Sequence, residues 1–388
     1  MLADTELDKI LHQNEKSIFV NKHVYRIDFN TIASNNPSED QSSQHQLGDS
    51  YLVGVYDGHG GRECGELVMK HLASYIAHHL SKPRTLPEKE HTIKALEDAF
   101  VAIDSDIING SLPYLTSNDH KSIIKNLQAV RSGCCAVVAL INKSDVYVAN
   151  SGDCRAVLGR KRAYQRNGEP AGYQTIELSE DHTFSNTREY ARMLKEHPGE
   201  DDTVVVRGRV LGGLMPTRAI GDARYKWPID IMRVVSPFIS RKGRTIIPPN
   251  YHSPPYVTAK PDVNHYIFDG NDHFMIIACD GLWDDISSSD AVNHIGELIQ
   301  KDYKGNFATD LMIKALGQER ESVRHILSIP APQSRRYRDD LTVNVVLLKP
   351  SGSDKGAPIE PVPKMPYLYK KQLDYWVQKL ETFTKSKL

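Results

Sequence analysis

Asp57 and Asp280 each close an apolar run and precede a glycine, in "YLVGVYDGHGG" and "HFMIIACDG". Asp339 and Asp340 open a further apolar run in "RDDLTVNVVLL", and Asp153 sits in "NSGDC" between two others. Strand ends gather at sheet edges, so this pattern can bring distant carboxylates together. Carboxylates gathered there repel one another unless protons or bound cations relieve them. Ligands made of Asp, Glu, backbone carbonyl and water suit the hard cations Mg²⁺ or Mn²⁺ rather than zinc. Asp-Gly or Asp-Asp alone is ordinary turn chemistry, and "YDGHGG" alone reads as a hairpin turn with a polar tip. The joint placement points to metal. Two ions sharing a carboxylate and a water make hydroxide available near neutral pH, which suits hydrolysis of phosphate esters.

The elements that must carry these residues are legible in the hydrophobic pattern. Leu52, Val53, Val55 and Tyr56 predict a strand ending at Asp57, and glycine would leave the Gly58 carbonyl accessible. Apolar positions from Glu63 to Leu80, and again at Ile93, Leu96, Phe100, Ile103 and Ile107, predict two amphipathic helices. "CCAVVALIN" and "DVYVANSGDCRAVLG" predict neighbouring strands with a turn at Ser151, Gly152 and Asp153. A helix over 186–196 should stop at His197-Pro198. Residues 201 to 263 read as a long irregular middle, proline-rich in its later part. Two helices, Ser289 to Tyr303 and one beginning near Asn306, precede a last strand. Strands, two helices, many strands, two helices and a strand predict an α+β fold.

Composition narrows the field. Lys plus Arg (48) and Asp plus Glu (49) nearly cancel, so whole-chain charge suggests neither a nucleic-acid nor a membrane partner. Five cysteines, without a CxxC pair, fit a reducing compartment and no zinc site. No apolar stretch approaches the roughly 20 residues of a membrane span. The start of the chain has neither a signal-peptide core nor an Arg-rich amphipathic pattern.

"SEDQS", "VYDGHGG", "VANSGDCRAVL", "LSEDHT", "MPTRAIGD", "IIACDGLWD" and "RDDLTV" occur in this order, and together they resemble the metal-dependent serine/threonine phosphatases of the protein phosphatase 2C family. "NNPSED", "EHPGED" and "RVLGGLMPTRAIGDARYKWPID" resemble its pyruvate dehydrogenase phosphatase branch. The resemblance implies two central antiparallel β-sheets flanked by pairs of α-helices, in four layers. It makes Asp57 the bridging ligand of two Mg²⁺ or Mn²⁺ ions, with the Gly58 carbonyl and Glu39 on one side and Asp280 and Asp339 on the other. Asp153 with Asp280 would hold a third, weaker ion, Asp40 would contact a water, and Asp340 would support Asp339. A water activated by the two ions would attack phosphorus in line while protonated His59 donates to the departing Ser or Thr oxygen. Family members commonly carry an arginine that clamps the phosphate where this chain has Asn35, which can bond phosphate but adds no charge.

The resemblance further implies the E1α subunit of the pyruvate dehydrogenase complex as substrate, docking to the acetyltransferase core, and a mitochondrial matrix location for a chain lacking its targeting peptide. Residues 1–388 read as a single catalytic domain, because the proposed ligands run from Glu39 to Asp339. Residues 365–388 read as a helical extension, with Leu373, Trp376, Leu380 and Phe383 on one stripe that is expected to pack on the body, a partner helix being the alternative. Arg335, Arg336 and Arg338 read as a solvated face. His182 reads as ordering a turn, and Arg218 and Asp222 as bracing the site. Two other readings stay open: the same chemistry on an unrelated phosphoprotein, and a catalytically impaired scaffold, for which Asn35 is the sole point in favour.

Overall fold

The computed structural model describes residues 2–20, 24–110, 128–162, 172–239, 246–348 and 359–363. The helical extension expected over 365–388 lies outside these residues. Two sheets form the centre. One has six strands in the order β1 (Lys16–Phe19), β2 (Arg26–Ile32), β14 (Leu341–Leu347), β13 (Asp272–Ala278), β7 (Arg155–Lys161) and β8 (Tyr173–Glu177). The other runs β12 (Asp262–Ile267), β6 (Asp145–Ser151), β5 (Gly133–Asn142), β4 (Ser50–His59), β3 (Gln41–Leu47) and β15 (Glu360–Pro361), with β11 (Ile220–Gly221) also on β5, while β9 (Val205–Val206) and β10 (Arg209–Val210) pair apart from both. Every pairing in the two sheets is antiparallel except the two-residue β15 beside β3.

Side chains alternate across each strand, so each sheet has an inner and an outer face. Val53 and Val55 of β4, Val137 and Ala139 of β5, and Met275 and Ile277 of β13 share one core between the sheets. Their neighbours turn outward: Phe274 and Ile276 pack under the helices Ser288–Gln300 and Phe307–Ala315, joined by Asp4–His12 and Arg320–Leu327. Leu52 and Tyr56 pack under the pair Glu63–Leu80 and Glu88–Gly110. The layers are therefore helix, sheet, sheet, helix, as expected, with more than a pair of helices on one flank.

Three sequence expectations change. The strand does not end at Asp57: Asp57, Gly58 and His59 continue β4 opposite Cys135, Cys134 and Gly133. The hairpin reading of "YDGHGG" therefore fails, because β5 supplies backbone partners beyond the Asp-Gly pair. The irregular middle contains the helix Ile229–Ile239 and its own core, in which Met193, Trp227, Met232, Tyr251 and Tyr256 are buried. The helix from Asn306 ends at Ala315, and a separate helix follows at Arg320–Leu327. Helix starts were read well: Ser287, Asn306 and Asn186 accept the N–H groups of Asp290, Thr309 and Arg188.

Candidate active site

Asp57 lies two and four residues beyond Val55 and Val53, so the strand period turns its carboxylate toward the gap between the sheets, at their edge. Asp280 begins a one-turn helix directly after β13, and Asp153 sits in the turn from β6 to β7. These three residues, separated by more than two hundred positions, place carboxylate oxygens within 4.8 Å of one another. Asp40, just before β3, is buried and leaves Oδ2 without a hydrogen-bond partner.

This arrangement is electrostatically costly for the bare protein. Burial, then Asp280, Asp40 and Asp153, push the Asp57 carboxyl well above its ordinary range. Burial and Asp280 raise Asp153 to about 7. Burial, Asp340 and Asp280 raise Asp40 to about 7. An all-oxygen group of crowded acids with an unpartnered buried oxygen fits a hard divalent cation, whose charge would reverse each of these shifts.

The turn bearing Asp153 is clamped. Gly152 has a φ of 120° and leaves no room for a Cβ against Cys135. Its N–H donates to His182 Nδ1 at 3.1 Å, and its carbonyl accepts the His182 N–H at 2.9 Å. An accepting Nδ1 places the ring proton on Nε2, which faces Asp262 Oδ2 at 3.2 Å. Arg218 then joins Asp262 to Glu189, at 2.7 and 2.6 Å. His182 thus orders the turn and Arg218 ties it to the helix Thr187–Glu196.

His59 Nε2 lies 2.6 Å from Asp222 Oδ2. Burial opposes charge on the ring, but Asp222, Asp153 and Glu39 outweigh it and raise the His59 pKa. Asp222 has the left-handed φ of 51° and its N–H is held by Ser132, while Gly221 before it bonds the buried Asp104–Lys226 pair.

The structure separates the adjacent acids Asp339 and Asp340. Asp340 accepts from the Ser34 N–H and hydroxyl, the Asn35 N–H, the Ser38 hydroxyl and the Glu39 N–H. Burial works against its charge, yet these bonds hold its pKa below the ordinary value. It is the organiser of the loop that carries Asn35 and Glu39. Asp339 instead pairs with Arg335 and accepts the Asp340 N–H at 2.6 Å. Glu39 accepts the Gly61 N–H at 2.7 Å and the Asn35 amide at 3.3 Å.

Glu39 and Asp339 therefore stand beside the trio of Asp57, Asp153 and Asp280, not in it. Gly58 is explained by close approach: a Cβ there would come within 2.5 Å of the Glu39 carbonyl oxygen. Of the three arginines read as a solvated face, Arg335 and Arg336 are exposed, and only Arg338 is half-buried. Arg335 is ion-paired and Arg338 Nη2 donates to the Ala33 carbonyl at 2.6 Å. Pairings such as His59 with Asp222 and Arg335 with Asp339 leave no local sequence signal in the first case, and in the second only a four-residue spacing.

The protein phosphatase 2C family profile matches residues 29–323. A protein phosphatase 2C homolog of Schizosaccharomyces pombe is 33% identical over 88% of this chain and 84% of its own length. Human mitochondrial pyruvate dehydrogenase (acetyl-transferring) phosphatase 1 is 30% identical over 89% of this chain and 83% of its own. The Saccharomyces cerevisiae protein of that name is 29% identical over 91% and 74%. Among solved structures, serine-threonine phosphatase 2C of Toxoplasma gondii shares the fold with a TM-score of 0.52 at 19% identity, covering 86% of this chain and 98% of that one.

Proposed function

This chain belongs to the protein phosphatase 2C family and is a protein phosphatase, and we propose that it removes phosphate from serine or threonine of the pyruvate dehydrogenase E1α subunit, so activating that complex. The observation that carries the chemistry is the convergence of Asp57, Asp153 and Asp280 within 4.8 Å. These three would hold Mg²⁺ or Mn²⁺, with Glu39, the Gly58 carbonyl and Asp339 completing two sites and Asp40 beside them. When bound, such ions supply Lewis acidity and a nucleophile from water near neutral pH.

The chain's own groups do the rest. Asp222 beside Nε2 favours the protonated form of His59, which would give its proton to the departing Ser or Thr oxygen. With Nε2 engaged by Asp222, the Nδ1 edge is left to face that oxygen. Asn35, fixed by Asp340, offers the phosphoryl group a neutral hydrogen bond. That these parts come from both sheets supports the reading of residues 1–388 as one catalytic domain.

The names of the relatives above, mitochondrial pyruvate dehydrogenase phosphatases, support the substrate and a mitochondrial location, whereas the matrix and docking to the acetyltransferase core follow only from the sequence resemblance. The test is Mn²⁺-dependent hydrolysis of p-nitrophenyl phosphate, followed by dephosphorylation of E1α in the intact complex. Activity on both supports the reading. Activity on other phosphoproteins but not on E1α moves the substrate elsewhere, and absence of any Mn²⁺-dependent hydrolysis contradicts the chemistry.

A further inference from the structure

A phosphoryl monoester brings close to two negative charges into a site already crowded with carboxylates, and Asn35 contributes no compensating charge. The basic groups beside the cluster are mostly committed. His59 is held by Asp222, Arg62 by Glu66, Arg155 by Asp181, and Arg338 by the carbonyl of Ala33. Arg335 is different: its partner is the carboxylate of Asp339. Asp339 is the acid that a cation would claim on the reading proposed above. Its Cβ lies 3.1 Å from where a side chain on Gly281 would begin, directly after Asp280, so Arg335 stands at the rim of the cluster.

Resting on that functional reading, we propose that Arg335 is the phosphate-binding arginine of this site. It neutralises Asp339 when no cation is present and offers its guanidinium to the phosphoryl oxygens when a cation takes Asp339. Its chemistry suits both roles. A guanidinium stays charged at any working pH, and its planar fork matches carboxylate and phosphate equally. The side chain is 39% exposed, so its head can turn without disturbing the core. The short 3₁₀ turn Gln333–Arg336 that carries it is anchored from below by Ser334, whose hydroxyl donates to the Ser34 carbonyl.

The experiment compares Arg335→Gln and Arg335→Lys with the parent, and uses Arg336→Gln as a control for loss of local charge. Two quantities are read: inhibition of p-nitrophenyl phosphate hydrolysis by inorganic phosphate in Mn²⁺, and Mn²⁺ binding by calorimetry without substrate. Loss of one charged hydrogen-bonding group should weaken phosphate inhibition by about tenfold to a hundredfold in Arg335→Gln. Arg335→Lys should lie between it and the parent, Arg336→Gln should match the parent, and Mn²⁺ affinity in Arg335→Gln should be equal or higher. Unchanged phosphate inhibition in Arg335→Gln overturns the assignment while leaving the metal site intact, as does an equal loss in Arg336→Gln. A parent that binds no Mn²⁺ overturns both this inference and the reading beneath it.

Discussion

Asp222 Oδ2 and His59 Nε2 meet 2.6 Å apart in space that exists because residue 133 has no side chain. A Cβ on Gly133 would collide with the tips of both. The Cβ would meet Asp222 Cγ as well, and Asp222 is buried, so the pair must part for the variant to fold. Gly133→Ala should therefore cost about 1–3 kcal/mol and lose ten- to a hundredfold in turnover. Gly281→Ala is the contrast, since its Cβ would strike the Asp340 carbonyl. It should lower stability first, by about 1–3 kcal/mol. Thermal melting and steady-state rates on both variants check this; a fully active Gly133→Ala would show that the pair is idle.

Asp340 should matter for order rather than for metal. Its two oxygens each accept at least two hydrogen bonds from the segment Ser34 to Glu39. In Asp340→Asn one of those oxygens becomes an NH₂ facing N–H and O–H donors. The variant should lose about 2–4 kcal/mol in urea unfolding. Near-parental stability would contradict this role.

Glu189 gives the fold a dependence on pH. Burial favours its neutral form, but bonds from Arg218, Arg192 and Thr217 prevail and bring its pKa to about 2. A carboxylate depressed on folding stabilises fully above its unfolded value, about 4.5, and loses that contribution as pH falls toward 2. The stability gap between parent and Glu189→Gln should be widest at neutral pH. Below about pH 4.5 it should shrink by on the order of 1 kcal/mol per unit. Denaturant unfolding across pH 7 to 3 measures it, and a constant gap would refute the linkage.

What the sequence made legible was apolar and periodic. The runs around Val53, Val137 and Ile276, and the helices from Glu63 and Glu88, stand out because burial of one face dictates their composition. β3, "QSSQHQL", did not, since six of its seven positions stay partly accessible and their polarity hides the strand. The helix Ile229–Ile239 was masked by the prolines around it. The acids of the trio were found because each sits at a strand boundary or turn. His182 and Asp222 were legible as ordering a turn and bracing the site, but the groups they meet were not: His182 with Gly152 and Asp222 with His59 join segments 30 and 163 residues apart, and only the folded sheets bring them together.

The central claim is that Asp57, Asp153 and Asp280 converge on divalent cations, and Mn²⁺ calorimetry on the parent beside Asp280→Asn, with melting of both in the absence of metal, tests it most directly. The parent should bind Mn²⁺ and gain stability from it, by about 2.7 kcal/mol at a hundredfold excess over Kd. Asp280→Asn should bind far more weakly and lose hydrolysis, yet melt no lower than the metal-free parent, because one of three mutually repelling carboxylates is gone. Equal Mn²⁺ affinity in the two proteins, or none in the parent, would contradict the account.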